Sequence, residues 1–172
     1  GGLLAAVAEM AFAGQVGVAL NVDLLVTEGD GISDSRAEVG DAKNWTKQVS
    51  ARREELTLKA LFNEEPGVVL QVRTAERNDV MQVLREHGLS KHSHFIGKTR
   101  PASSAMDAGK GELQVWRDTK AVFSAKLHDL QQVWDSVSWK INQQRDNPAC
   151  ADAEHAAAGD PADAGLHTHL TF

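Results

Sequence analysis

Apolar and polar residues repeat along this chain with two periods, and the period separates helices from strands. Leu3, Leu4, Val7, Met10 and Ala11 gather on one side at about 100° per residue, with Glu9 opposite. This predicts an amphipathic helix over Leu3–Ala13, with Gly14 taking the left-handed position that ends it. In "VGVALNVDL", Val18, Leu20 and Val22 alternate with Ala19, Asn21 and Asp23, a strand pattern. The polar, Gly/Asp/Ser-rich stretch from Thr27 to about Val49 reads as a surface insertion (27–50) pinned by Trp45, followed by a helix from about Ser50 to Leu61. "GVVLQVR", Gly67–Arg73, is almost continuously apolar and β-branched, the signature of a buried central strand.

Beyond it, Thr74 is placed to cap a helix over Ala75–His87, whose Val80, Val83, Leu84 and His87 share a face before Gly88 stops it. "HSHFIG" reads as a short strand. "ELQVWRDTKAVFS" reads as two strands joined by a tight turn at Asp118–Lys120. Ser124 is a candidate cap for the longest helix, about Ala125–Arg145, which carries the stripe Leu127, Leu130, Trp134, Val137 and Ile141. Trp139 lies roughly 120° from the centre of that stripe. It is either a scattered surface aromatic or part of a second face directed beyond the domain. After Arg145 the chain is rich in Ala, Asp, Gly and Pro and lacks a period, so 146–172 reads as an extended linker or tail.

This order of elements predicts an α/β (α+β) fold, a mixed β-sheet covered by helices. The expected division is a lobe over 1–145 and the tail 146–172. A chain of 172 residues can bury a core without staples. One cysteine rules out an internal disulfide and suits the cytoplasm. The net charge of −6 and the lack of any basic block argue against nucleic acid as a partner. The longest apolar run, "LLAAVAEMAFA", is too short for a membrane span and contains Glu9. The chain opens on "GGLL" with neither an initiator Met nor a signal-peptide pattern, as a piece cut from something longer would.

Three places carry candidate chemistry. Cys150 and His155 invite a thiol site. However, Asp146, Asp152 and Glu154 surround them and a helix C-terminus precedes them, and both features raise a thiol pKa. A metal site shared with His167 and His169 has acceptable ligand types without ligand spacing. Asn147 stands before Pro148, where the α conformation is disfavoured, so a helix must stop there. The stretch therefore reads as a structural stop. In "LFNEEPGVV", Asn63, Glu64 and Glu65 are either a cleft edge for Mg²⁺ or a ribose hydroxyl, or a polar turn shaped by Pro66 and Gly67. Gly1 and Gly2 before a helix suit the approach of a phosphate to free N–H groups. The histidines of "KHSH" read as packing or surface residues.

Four stretches together, "GGLLAAVAEMAFAGQVGVALNVD", "LKALFNEEPGVVLQV", "GLSKHSHFIGK" and "WKINQQRDNPACADAEH" with the closing "DAGLHTHLTF", resemble the large bacterial phosphoribosylformylglycinamidine synthases. The resemblance implies the C-terminal lobe of the second aminoimidazole-ribonucleotide-synthetase-like unit, then the start of the linker to a glutaminase domain. It implies a parent ligase that uses ATP, Mg²⁺ and glutamine to convert formylglycinamide ribonucleotide to the amidine in purine biosynthesis. In that family an Asp-x-Ser-Asp run that helps hold Mg²⁺ and nucleotide precedes "GGLL", and the glutaminase nucleophile sits in a Gly-x-Cys-x-Gly elbow. Neither is in this chain, so no catalytic residue, no resident metal and no tightly bound cofactor is expected here. Gly1 and Gly2 become the phosphate-side remnant and Asn63, Glu64 and Glu65 the cleft edge. Trp139, Asp146, Asn147 and Pro148 become contacts to neighbouring synthase and glutaminase domains. The alternative is a self-standing binding module, which could pair as a homodimer through its sheet.

Overall fold

The structure, a computed structural model, describes residues 1–27, 42–100, 111–160 and 162–163, with only the backbone for 42–45. The first helix, α1 (Gly2–Gly14), forms as its apolar spacing predicts. Its end differs in detail. The left-handed residue is Gln15, φ 48°, and not Gly14. The Gln15 N–H donates to Phe12 O and the Val16 N–H to Ala11 O, both at 3.3 Å, which is a Schellman closure. The Gln15 side-chain amide adds a 2.7 Å bond to Phe12 O, which offsets the strain of a non-glycine there.

Strand β1 (Gly17–Asn21) follows. The five-residue α2 (Asp23–Thr27) is too short to leave a period, so the pattern did not reveal it. Asn21 Oδ1 starts it by accepting the Asp23 N–H at 2.8 Å. Helix α3 (Ala42–Phe62) begins well before the expected Ser50. "AKNWTKQV" contains no Gly or Pro, and a polar helix can form without an apolar stripe when pairs such as Glu55–Lys59, 2.5 Å apart, support it. Residues 28–41 of the expected insertion and the side chain of Trp45 lie outside the described residues.

The clearest correction concerns Gly67–Arg73. It is not a buried central strand: it has no strand pairing, and Val68 and Leu70 are 83% and 61% exposed. A β-branched run states only that a strand would be comfortable. Pairing needs a sheet edge within reach of the segment, and among the described residues the ladder is made by other segments. A 3₁₀ turn (Thr74–Glu76) leads into α4 (Arg77–Glu86). Thr74 lies inside the turn and does not act as the cap. Gly88, φ 73°, ends α4 as expected, with Gly88 N bonded to Arg85 O and Leu89 N to Leu84 O. The strand read in "HSHFIG" is displaced. Ser90–His92 is a 3₁₀ turn and β2 is Gly97–Arg100, its pairing opened by the Asn21 N–H on Ile96 O at 2.6 Å.

The hairpin is as predicted: β3 (Glu112–Arg117) and β4 (Lys120–Lys126). Asp118 and Thr119 both take positive φ, 51° and 62°, which matches the twist of a two-residue hairpin turn. Helix α5 (Leu127–Arg145) starts after Lys126 with no side-chain cap. Ser124 remains in β4, its Oγ 3.3 Å from Glu112 Oε2. The stretch after Arg145 is not extended, because Pro148–Ala158 forms α6 against α5. The sheet order is β2-β1-β3-β4, a mixed four-stranded sheet with six helices among the described residues, and the class is α+β as expected.

The chain divides into two compact units. The first (Gly1–Val7, Leu20–Gly97, Trp116–Lys120) buries Val7, Leu20, Val22, Val26 and Leu61. The second (Ala8–Ala19, Lys98–Val115, Ala121–Phe172) buries Ala11, Phe12, Leu113, Val115, Leu127 and Ala151. Leu113 and Val115 face the same way along β3 and both are fully buried, whereas β2 is exposed throughout.

His128 departs from this apolar interior. It is 8% exposed, and neither ring nitrogen has a partner among the described residues. A buried polar group left unpaired costs about 1–3 kcal/mol. His128→Leu is therefore expected to raise the thermal midpoint by about 3–6 °C in a calorimetric scan. A fall in the midpoint would show that the imidazole is in fact satisfied.

Candidate functional site

The residues singled out by sequence fall into two groups, and the structure assembles each one locally. The first is where α1 begins beside the end of α3, inside the first unit. Gly2 has φ 78°, and a Cβ there would stand 2.8 Å from Leu61 O and 2.9 Å from Phe62 Cα. Only glycine allows the α1 N-terminus to lie this close to the α3 backbone. The Gly1 nitrogen lies 3.1 Å from Glu64 Oε1, and Asn63 Nδ2–H donates to Glu65 Oε1 at 3.0 Å. The structure thus brings Gly1, Gly2, Asn63, Glu64 and Glu65 to a single edge. The first turn of α1 carries no acidic residue of its own.

The chemistry available at this edge is narrow. It presents helix N–H groups to an anion and two carboxylates to a cation, and has no nucleophile. Glu64 is 78% exposed and directed to Gly1, and Asn63 and Glu65 bond each other. Among the described residues no group of three or more His, Cys, Asp or Glu side chains could hold a metal ion. The residues present do not by themselves amount to an ATP–Mg²⁺ site.

The second group lies on α5 and α6 in the second unit. Helix α5 stops at Asp146, and Asn147 starts α6 by accepting the Ala149 N–H at 3.0 Å, with Pro148 in the first turn. Asn-Pro therefore marks both the stop that the sequence showed and a start that it did not. Asp146 is bonded to the Arg145 guanidinium, which holds its carboxyl below the ordinary carboxylate range. A depressed folded pKa means this contact supports the α5 end above the unfolded carboxyl pKa and fades as pH drops through the folded one.

Trp139 is occupied within the chain. Its ring stacks on His155 with centroids 4.2 Å apart and planes within 4°, and Lys140 Nζ lies 3.6 Å above it. Its Nε1–H donates to Asp152 Oδ1 at 2.8 Å, and Gln143 donates to the same oxygen. His155 Nδ1 lies 2.8 Å from Asp135 Oδ2. This cluster joins the two helices and was missed, because the signal in the sequence, His155 at helical spacing from Asp152, needs α6 to be recognised first. Cys150 is exposed and five residues from His155, about 140° around the helix, so the two do not form a pair. The apolar surface that α6 leaves open on α5 is Val133, Trp134, Val137 and Ile141, each more than half exposed.

Compared with known families, residues 1–106 match the family model described as AIR synthase related protein, C-terminal domain. The chain belongs to this family. The family is one of AIR-synthase-like, ATP-utilising enzymes, of the nucleotide-binding, purine-biosynthesis type, with ligases and kinases among them. Both the α1 start and the Asn63–Glu65 edge fall within the matched residues. Among the described residues no helix is long and apolar enough to cross a membrane.

The Gly2 contact sets a measurable cost. Gly2→Ala is expected to lower stability by about 1–3 kcal/mol in urea titration, since it must force a Cβ into α3 backbone at positive φ. Gly67→Ala, with nothing closer to its Cβ than Glu65 O at 3.9 Å, is expected to shift it by less than about 0.5 kcal/mol. Equal effects at the two positions would contradict the close approach.

Proposed function

We propose that this chain is the C-terminal lobe of the second synthetase-like unit of a phosphoribosylformylglycinamidine synthase. The parent enzyme joins the formamide of formylglycinamide ribonucleotide to ammonia drawn from glutamine, with ATP converted to ADP and phosphate. The observation that carries this reading is the placement of the resembling stretches. "GGLL" and "LFNEE" meet at one edge inside the family-matched region, and "WKINQQRDNPACADAEH" forms the α5–α6 hairpin beyond it.

In this reading Gly1 and Gly2 lie on the phosphate side of the auxiliary nucleotide, and Asn63, Glu64 and Glu65 form the polar rim facing it. The groups that hold ATP and Mg²⁺ come from other parts of the parent, and this lobe supplies a helix N-terminus and a positioned edge. Asp146, Asn147 and Pro148, where α5 gives way to α6, face neighbouring domains. The lobe alone turns over no substrate, and the parent works in the cytoplasm.

The test is an assay of the full parent chain with formylglycinamide ribonucleotide, ATP, Mg²⁺ and glutamine. Amidine, glutamate and ADP are expected in equal amounts. The 172-residue chain is expected to make none and, in calorimetric titration, to bind ATP–Mg²⁺ no tighter than about 1 mM. ATP consumption that needs neither glutamine nor ammonia would overturn the assignment to this ligase and leave the family membership intact.

A further inference from the structure

Two tryptophans of α5 make the same kind of hydrogen bond and differ in what lies on their rings. Trp139 Nε1–H donates to Asp152 Oδ1 at 2.8 Å, and its ring carries the stacked His155 imidazole and Lys140 Nζ at 3.6 Å. Trp134 Nε1–H donates to Glu9 Oε1 at 3.1 Å. Its ring neighbour is Phe12, tilted by 56° with centroids 6.1 Å apart, and Trp134 stays 59% exposed. Among the described residues no cation lies on the Trp134 ring or pairs with Glu9. The second indole–carboxylate pair thus repeats the first without the group that covers the ring.

The surroundings define the chemistry of that group. Trp134 lines a groove of about 260 Å³ with Glu9, Phe12, Ala13 and Gln131, all within the second unit. Gln15 Nε2–H closes one end on Gln131 Oε1 at 3.4 Å. A planar cation on the open indole meets the negative face of the ring and has the Glu9 carboxylate at its edge. A guanidinium answers both demands, because it stacks flat, stays charged and presents a fork of N–H donors to a carboxylate. An ammonium is a strongly hydrated point charge with no face to stack. The chain already uses a guanidinium in this way, with Arg77 4.3 Å over the Phe95 ring.

The stripe beside the groove indicates what carries the guanidinium. Val137 and Ile141 lie within about 60° of Trp134 around α5 and are 67% and 54% exposed. From Trp134 to Ile141 the stripe runs about 10 Å along the helix axis. A small free cation would fill the groove and leave both aliphatic side chains in water. An amphipathic helix laid along α5 covers groove and stripe together, with apolar residues at i, i+3 and i+7. We infer that the α1–α5 groove docks an amphipathic helix of a partner protein, whose arginine lies on Trp134 and pairs with Glu9. The inference holds whatever ligase or kinase the parent is.

Stapled helical peptides of about 15 residues test it by calorimetric titration into the unaltered chain. One carries leucines at i, i+3 and i+7 with an arginine one turn before the first, and the other has glutamine in place of that arginine. The arginine peptide is expected to bind at least tenfold more tightly than the glutamine peptide. Against Glu9→Gln the two are expected to bind alike, and Val137→Asp is expected to weaken both at least tenfold. Glu9 is exposed and glutamine keeps an acceptor for Trp134, so Glu9→Gln is expected to melt with the unaltered chain. The peptide pair needs no variant of the chain, so misfolding cannot imitate its result. No binding of the arginine peptide, equal binding of the two peptides, or a preference for arginine that survives in Glu9→Gln would each overturn the inference. Self-association in sedimentation equilibrium that Val137→Asp abolishes would overturn it too, since a second copy would then cover the face.

Discussion

One guanidinium holds together the tip of the hairpin, the start of α2 and the middle of α3. Arg53, its side chain 15% exposed, puts Nη2 2.7 Å from Asp118 Oδ1 and 3.6 Å from Asp23 Oδ1. The Asp118 N–H donates to the same Asp23 carboxylate at 2.9 Å, and neighbouring Arg117 donates to Thr57 Oγ1 at 3.0 Å. Asp118 and Thr119 are in the left-handed region, which is unfavourable for a β-branched threonine without support. Arg53 serves both carboxylates, and Arg117 Nε, 3.4 Å from Asp118 Oδ2, adds a second cation to the cluster. Without that clamp the turn would be free to change type, and a changed turn slips the register of β3. A one-residue slip would turn Leu113 and Val115, both fully buried, to the other face of the sheet.

The α5–α6 hairpin relies on side-chain geometry of a different kind. Its connection is short because Asn147 and Pro148 both end one helix and begin the next. Its interface is polar and aromatic, with Trp139 stacked on His155 while Asp152 and Asp135 take the hydrogen bonds. The face of α5 turned from α6 keeps the apolar stripe that in an isolated helix would be assigned to the core. Two sides of one helix are thus used for different contacts, which is why Trp139 lies off the stripe.

Where a signal is local, the sequence could be read directly. The apolar spacing of α1, the glycine that ends α4, the Asp118–Thr119 turn and the Asn147–Pro148 break were all legible, because each depends on residues within a turn of one another. The Gly1, Gly2 and Asn63–Glu65 candidates were legible as residue types, but their meeting at one edge was not, since some sixty residues separate them. The early start of α3 was hidden by its polarity, and α6 by an alanine-rich composition without a period. Gly67–Arg73 failed for a different reason. Its composition describes a side chain's comfort in a sheet and says nothing of which edge is free.

By itself the sequence determined the class of the protein, its hairpin, the stop after Arg145 and the family that residues 1–106 match. These follow from backbone preferences and short-range periodicity, which act before any long-range contact exists. Only the tertiary structure decided which apolar runs are covered. It placed Leu113 and Val115 inside and left Val68, Leu70 and Trp134 exposed, set Trp139 on His155, and directed Glu64 toward Gly1. Burial is a property of pairs of segments distant in the chain, and a single segment carries no record of its partner.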